Sequence, residues 1–186
     1  MLSGEEILKQ IEAGNIVIEP FDREKLNPNS YNLTVGDEVM VYVEAVLDFK
    51  KPSKPRIIPI PDDGLILMPN NLYLAGTLEY TETNNFIPQI SGRSSIGRIG
   101  LAVHMGASLG ENGYKGKWTF SISVSMPVKI HKGMTLGQIY YFPVVGSDEI
   151  KYNKKDTGIR QTWSGSKSAM AYFNFDEDIE EKDIWN

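Results

Sequence analysis

The chain of 186 residues contains no cysteine and only two histidines, His104 and His131. The first absence excludes disulfides and the cysteine-built zinc site by which common nucleobase deaminases activate water. Two imidazoles are too few for a histidine-built metal centre, so no protein-held metal is expected. No apolar run approaches the roughly 20 residues of a membrane-spanning helix, and no membrane partner is expected. The opening MLSGEEILKQ is acidic and amphipathic, unlike a secretory signal. The expected location is cytoplasmic. A net charge of -5 leaves no basic excess for a nucleic acid to exploit, so a nucleotide has to be held by local positive charge.

What is present suits one domain, residues 1–186, with 41% hydrophobic residues to bury. Ser3 followed by Glu6 is a capping box, Ile7, Leu8 and Ile11 recur at helical spacing, and Gly14 stops the run. Beyond that helix the pattern is of short strands: 15–21, 31–36, 38–43, 65–68, 72–77, 86–90, 118–126, 128–130 and 136–142. Residues 99–105 are almost wholly apolar and predict a strand buried on both faces. Trp118, Phe120, Ile122 and Val124 alternate with Thr119, Ser121, Ser123 and Ser125, which predicts a strand with one polar face. Glu79, Glu82 and Asn84 are expected at a surface turn. The fold class is all-β or β-rich, a barrel or sandwich with one short N-terminal helix. Residues 156–186 are a candidate mobile C-terminal lid and acidic tail.

Two clusters flank the apolar run at 99–105. The first is Gly92-Arg93-Ser94-Ser95 with Arg98 behind it, offering two guanidinium forks, two hydroxyls and backbone amides to a polyphosphate. The second is Gly110-Glu111-Asn112-Gly113-Tyr114-Lys115-Gly116, one carboxylate and one ring on a glycine-rich turn. Taken singly, each is equally an ordinary turn, and Asn-Gly is a strong hairpin signal. A carboxylate near a phosphate cradle is electrostatically unfavourable unless it holds a water, a sugar hydroxyl or a metal. That tension is the argument for a nucleotide site.

The stretch 92–98, the turn 110–116 and the later Gly133-Met134-Thr135-Leu136-Gly137-Gln138-Ile139 resemble the dCTP deaminase/dUTPase superfamily. So does Pro28-Asn29-Ser30-Tyr31-Asn32-Leu33, and the likeness covers about two thirds of the chain. It is closest to the branch containing bifunctional dCTP deaminase–dUTPases. The resemblance implies a distorted β-barrel of the dUTPase type, assembled as a homotrimer with active sites at subunit boundaries. It implies hydrolysis of dUTP to dUMP and pyrophosphate, with Mg2+ carried on the substrate phosphates. Arg93, Ser94, Ser95, Arg98, Gln138 and Lys151 would then bind phosphate, and Glu111 would serve as the catalytic base. Tyr114 would lie against the deoxyribose, and the backbone from Ala107 to Gly110 would read the base. Three positions depart from the family pattern: Asn32 and Glu111 each stand where the family has Asp, and Ser121 stands where its deaminases have a glutamate. The alternatives are a dCTP deaminase, alone or bifunctional, and a catalytically weak nucleotide-binding regulator.

Overall fold

Alternation of apolar and polar side chains from Tyr31 onward produces a 12-residue strand, β2 (Tyr31–Tyr42), whose inward residues Tyr31, Leu33, Val35 and Val39 are fully buried. The computed structural model describes residues 1–48, 55–103 and 108–146. Helix α1 (Gly4–Glu12) begins as expected: the Ser3 side chain accepts from the Glu6 amide at 3.2 Å. Its Ile7 is fully buried, and Gly14, at φ 75°, turns the chain into β1 (Ile16–Glu19). The remaining elements are β3 (Pro55–Pro59), β4 (Leu65–Leu67), β5 (Tyr73–Thr83), β6 (Phe86–Gly92), a one-turn helix α2 (Ser94–Gly97), β7 (Leu101–Val103), β8 (Lys115–Val124), β9 (Val128–Ile130) and β10 (Thr135–Pro143).

These strands form an antiparallel sheet in the order β6-β10-β2-β5-β8-β7, with β1 added on β5 and β3 on β2; β4 and β9 pair separately. The path curls until its ends approach: a Cβ at Gly92 on β6 would lie 3.5 Å from the Cβ of Val103 on β7. The result is the nearly closed β-barrel that the resemblance implied, with α1 packed on its core. Among the described residues no helix is long and apolar enough to cross a membrane.

The structure corrects three sequence expectations. Segments 31–36 and 38–43 are one strand, bent where its pairing with β5 shifts between Val35 and Val39. The apolar run after residue 98 yields only β7, and its central Ala102 is exposed rather than buried on both faces. Its apolarity reflects one buried face and a short strand. Glu79 is not at a surface turn. It lies within β5, fully buried, where β5 also loses register with β8 between Gly76 and Tyr80.

Glu79 can be buried because its carboxyl group is paired. One carboxylate oxygen accepts from Lys25 Nζ at 2.8 Å and the other from the Thr34 amide at 2.9 Å. Lys25 also donates to Thr34 Oγ1 at 2.7 Å. Removing one partner from such an arrangement strands the other. Glu79→Ala is expected to cost about 3–5 kcal/mol, a fall in Tm on the order of 10 °C, measured by thermal denaturation. Glu79→Gln, which keeps an acceptor for Thr34, should lose less.

Candidate active site

The first cluster lies where β6 ends. Arg93 has extended backbone and caps α2, and its carbonyl accepts from the amides of Ile96 and Gly97 at 3.1 and 3.0 Å. Ile96 is buried and fastens this single turn to the core, leaving Ser94, Ser95 and Arg98 exposed and Arg93 half-buried. Neither guanidinium forms an ion pair with a described residue. Hydroxyls, forks and the open first-turn amides of α2 therefore share one accessible face.

Gln138 on β10 stands opposite Ser91 of β6 and Asn32 of β2. Its amide oxygen accepts from buried Ser30 at 3.0 Å, and its amide nitrogen donates to the Gly92 carbonyl at 3.2 Å. The residue expected to meet phosphate is thus committed to holding the residue before Arg93. Asn32 accepts from Asn27 Nδ2 at 3.0 Å, in the same polar chain. Ser30 and Asn27, which the sequence reading left without a role, complete it.

The second cluster is a turn whose two arms go to different strands. Segment 108–110 runs along β6: Ser108 accepts from the Ile90 amide at 2.8 Å, and the Gly110 amide donates to the Pro88 carbonyl at 2.7 Å. After the turn, Lys115 and Gly116 pair with Glu82 and Thr81 of β5. The turn itself is closed by the Tyr114 amide donating to the Glu111 carbonyl at 3.1 Å, and Gly113, at φ 88°, supplies the left-handed third position of a type II turn. Asn112 is not left-handed, so the Asn-Gly pair does not form the type I′ turn that its sequence suggests.

Glu111 projects from this turn and is exposed. Tyr114 is not: its ring stacks on Trp118 with centroids 4.2 Å apart, and its hydroxyl donates to the Lys117 carbonyl at 2.7 Å. Nearby, Lys115 and Tyr80 both hydrogen-bond Glu82, at 2.6 and 2.7 Å. These bonds, that from Lys115 first, hold the Glu82 carboxyl below its ordinary range. Burial, then Glu82, pushes the Tyr80 hydroxyl up to about 12. Lys115 and Glu82 thus satisfy each other.

Within one chain the clusters are not brought together. Segment 108–110 runs antiparallel to β6, so Glu111 lies beyond the level of Pro88. Arg93 is five residues further along in the opposite direction, about 16 Å at a strand rise of ~3.3 Å per residue. On β8, Ser121 stands on the less buried face, as expected, and faces Leu74 across the ladder. Thr119 faces Gly76 and Ser123 faces Ala102, so among the described residues the register places no titratable group opposite any of the three. His104, Ala107 and Lys151, together with the lid at 156–186, lie outside the described residues.

A family model described as dCTP deaminase-like matches residues 1–144, and the chain belongs to that family. A Leptospira biflexa protein named "dCTP deaminase, dUMP-forming" is 45% identical over 177 residues, covering 95% of this chain and 99% of its own. A Clostridium acetobutylicum protein of the same name is 45% identical over 175 residues, covering 94% and 98%. The crystal structure of 2'-deoxycytidine 5'-triphosphate deaminase from Agrobacterium tumefaciens matches 75% of this chain and 46% of its own. Its TM-score is 0.61 and its identity 18%, a likeness of fold.

The turn that carries Glu111 depends on a glycine. A Cβ at Gly110 would run into Trp118 Cη2 and lie 2.8 Å from Pro88 Cγ. Gly110→Ala is therefore expected to cost roughly 1–3 kcal/mol. Gly97→Ala, with nothing within 4 Å of its added Cβ, should be neutral or slightly stabilising. Paired denaturant titrations of the two variants check this.

Proposed function

We propose that the protein hydrolyses a deoxyribonucleoside triphosphate, dUTP by preference, to the monophosphate and pyrophosphate, and does not deaminate dCTP. The observation that carries the proposal is Ser121. Attack of water at C4 of cytosine needs a group that takes a proton from water and delivers one to the leaving ammonia. A carboxylate cycles between those states near neutral pH, whereas an unactivated hydroxyl does not. Among the described residues, neither β8's polar face nor the residues opposite it supply one. Conversion of dCTP to dUMP, the outcome named for the relatives, requires loss of both ammonia and pyrophosphate. Among the described residues, only the second has candidate groups.

In the proposed reaction a water attacks the α-phosphorus, Glu111 takes the water proton, and pyrophosphate leaves. Arg93 and Arg98 counter charge on the phosphate oxygens with planar forks, and Ser94 and Ser95 add hydrogen bonds. Lys151 would add a point charge, and the backbone from Ala107 to Gly110 would read the base. Tyr114, buried and stacked on Trp118, would meet the deoxyribose with what remains accessible of its ring. Gln138 acts by holding Gly92 in place. Mg2+, which the family resemblance implies, would further neutralise the triphosphate, carried mainly on the phosphate oxygens.

The separation of Glu111 from the Arg-Ser-Ser turn supports a site shared between subunits. An α-phosphate beside Glu111 lies out of reach of the same chain's Ser94 and Ser95. A second copy has to bring its α2 to this turn. A homotrimer with three such boundaries is the assembly that the family resemblance implies.

Incubation with Mg2+ and dUTP, dCTP or UTP tests the proposal. Pyrophosphate should appear from dUTP and little from UTP. Release of orthophosphate, or equal use of UTP, would refute it. Ammonia from dCTP would instead establish the deaminase reading that the relatives' names favour. Binding of dUTP without turnover would make the chain a nucleotide-binding regulator. Glu111→Gln should lower turnover about 100- to 10,000-fold, the worth of a positioned general base, while keeping most of the binding.

A further inference from the structure

Glu111 is held by its neighbours on both sides, one anchored to β6 and the other to the connection between β5 and β6. On one side the Gly110 amide donates to the Pro88 carbonyl at 2.7 Å. On the other, Asn112 Oδ1 accepts from the backbone amide of Asn85 at 2.8 Å. Asn85 is one of two described non-glycine residues with positive φ, at 66°. Its carbonyl accepts from the Val144 amide at 3.2 Å, just after β10, while its neighbour Asn84 donates to the Asn15 carbonyl at 2.8 Å. The connection is thus tied to the segment between α1 and β1 and to the residue after β10, and it offers the Glu111 turn a fixed reference.

The two ends of the Asn112 amide are unequal. Its oxygen is used. Its Nδ2 is buried and has no hydrogen-bond partner among the described residues. The orientation is not interchangeable, because the partner is an N–H that only the oxygen can accept. A buried amide with one half unsatisfied is costly. What this side chain accomplishes is therefore one bond, placed one residue from the carboxylate.

We infer that Asn112 is a positioning residue for the hydrolytic step: its Oδ1–Asn85 bond sets the direction in which Glu111 is presented to the attacking water. This rests on the proposed role of Glu111. A general base must stand within hydrogen-bond reach of the proton it takes, and small displacements are expensive in rate. Substrate affinity, by contrast, resides mainly in the phosphate cradle on α2. Loss of the bond should thus appear in kcat and little in KM.

The unequal amide provides the test. Asn112→Ala removes the acceptor, and kcat should fall about 10- to 100-fold with KM nearly unchanged. Asn112→Asp keeps the acceptor and loses only the unsatisfied NH2, so it should recover most of kcat at high pH. Its new negative charge lies beside Glu111, while Lys115 and Glu82 remain paired with each other. Like charge opposes ionisation, so the acidic limb of the Asn112→Asp profile should move to higher pH. Amide hydrogen exchange at Asn85 should be slow in wild type and Asn112→Asp and fast in Asn112→Ala. Wild-type kcat in Asn112→Ala despite fast exchange at Asn85 overturns the inference. So does an Asn112→Asp variant as impaired as Asn112→Ala across the pH range. If Glu111→Gln is itself fully active, the role of Glu111 fails instead, and the exchange data still report whether the anchor exists.

Discussion

Strand β5 loses register with both of its neighbours at the same place, and the barrel depends on how that gap is filled. Between Val35 and Val39 it slips against β2, and between Gly76 and Tyr80 against β8. Backbone groups facing the slip would be buried without partners, which a fold does not tolerate. Side chains replace the missing ladder. The Thr34 amide donates to Glu79, and the Trp118 amide donates to Thr77 Oγ1 at 2.9 Å. The Trp118 indole donates to Thr81 Oγ1 at 2.8 Å. Trp118, fixed at both its backbone and its ring, then stacks on Tyr114 and limits how close residue 110 can come. Thr77 Oγ1 also donates to the Glu79 carbonyl at 2.8 Å, so the backbone at the slip is connected through Thr77 and Trp118 to the turn bearing Glu111.

Strand β6 imposes the second constraint. It carries the Arg-Ser-Ser turn at its C-terminal end and holds the Glu111 turn near its other end, so it keeps the two clusters apart in one chain. On the proposed function this separation has a use. A phosphate cradle and a carboxylate repel in their charge preferences, and placing them on different copies lets each be built without the other's field. The cost is that a monomer would have no complete site. The Gln138 network fits the same picture, because it fixes the cradle internally through Ser30 and Gly92 and leaves the cradle's outer face for ligand.

What could be read from sequence follows the range of the interactions concerned. The α1 cap and the β8 alternation involve residues within a turn or along one strand, and both appear in the structure as expected. Glu79 was misplaced because its partners lie 54 and 45 residues away and no local signal distinguishes a bulge from a turn. Tyr114 and Gln138 were recognisable as motif residues, but their commitments to Lys117, Ser30 and Gly92 are tertiary facts. The double asparagine at 84–85 was a readable sign of a left-handed turn, since Asn is enriched at positive φ. That this turn would grip Asn112 was not readable.

On the proposed function, Ser121 is how this chain keeps the family fold while differing in chemistry. Its side chain lies on the less buried face of β8, and the residue across the ladder is Leu74. The opposite face of the same strand carries Trp118, Phe120, Ile122 and Val124 into the core. A change at 121 therefore alters the less buried face of β8 and leaves the packed face untouched. The groups proposed for hydrolysis sit elsewhere, on α2 and on the turn at 111–114, and none of the described hydrogen bonds that hold those elements passes through Ser121. Two chemical steps placed on separate elements can be lost separately. On the proposed function deamination and pyrophosphate release are independent properties of one barrel, and a serine where the family resemblance implies a glutamate would remove the first without disturbing the scaffold of the second.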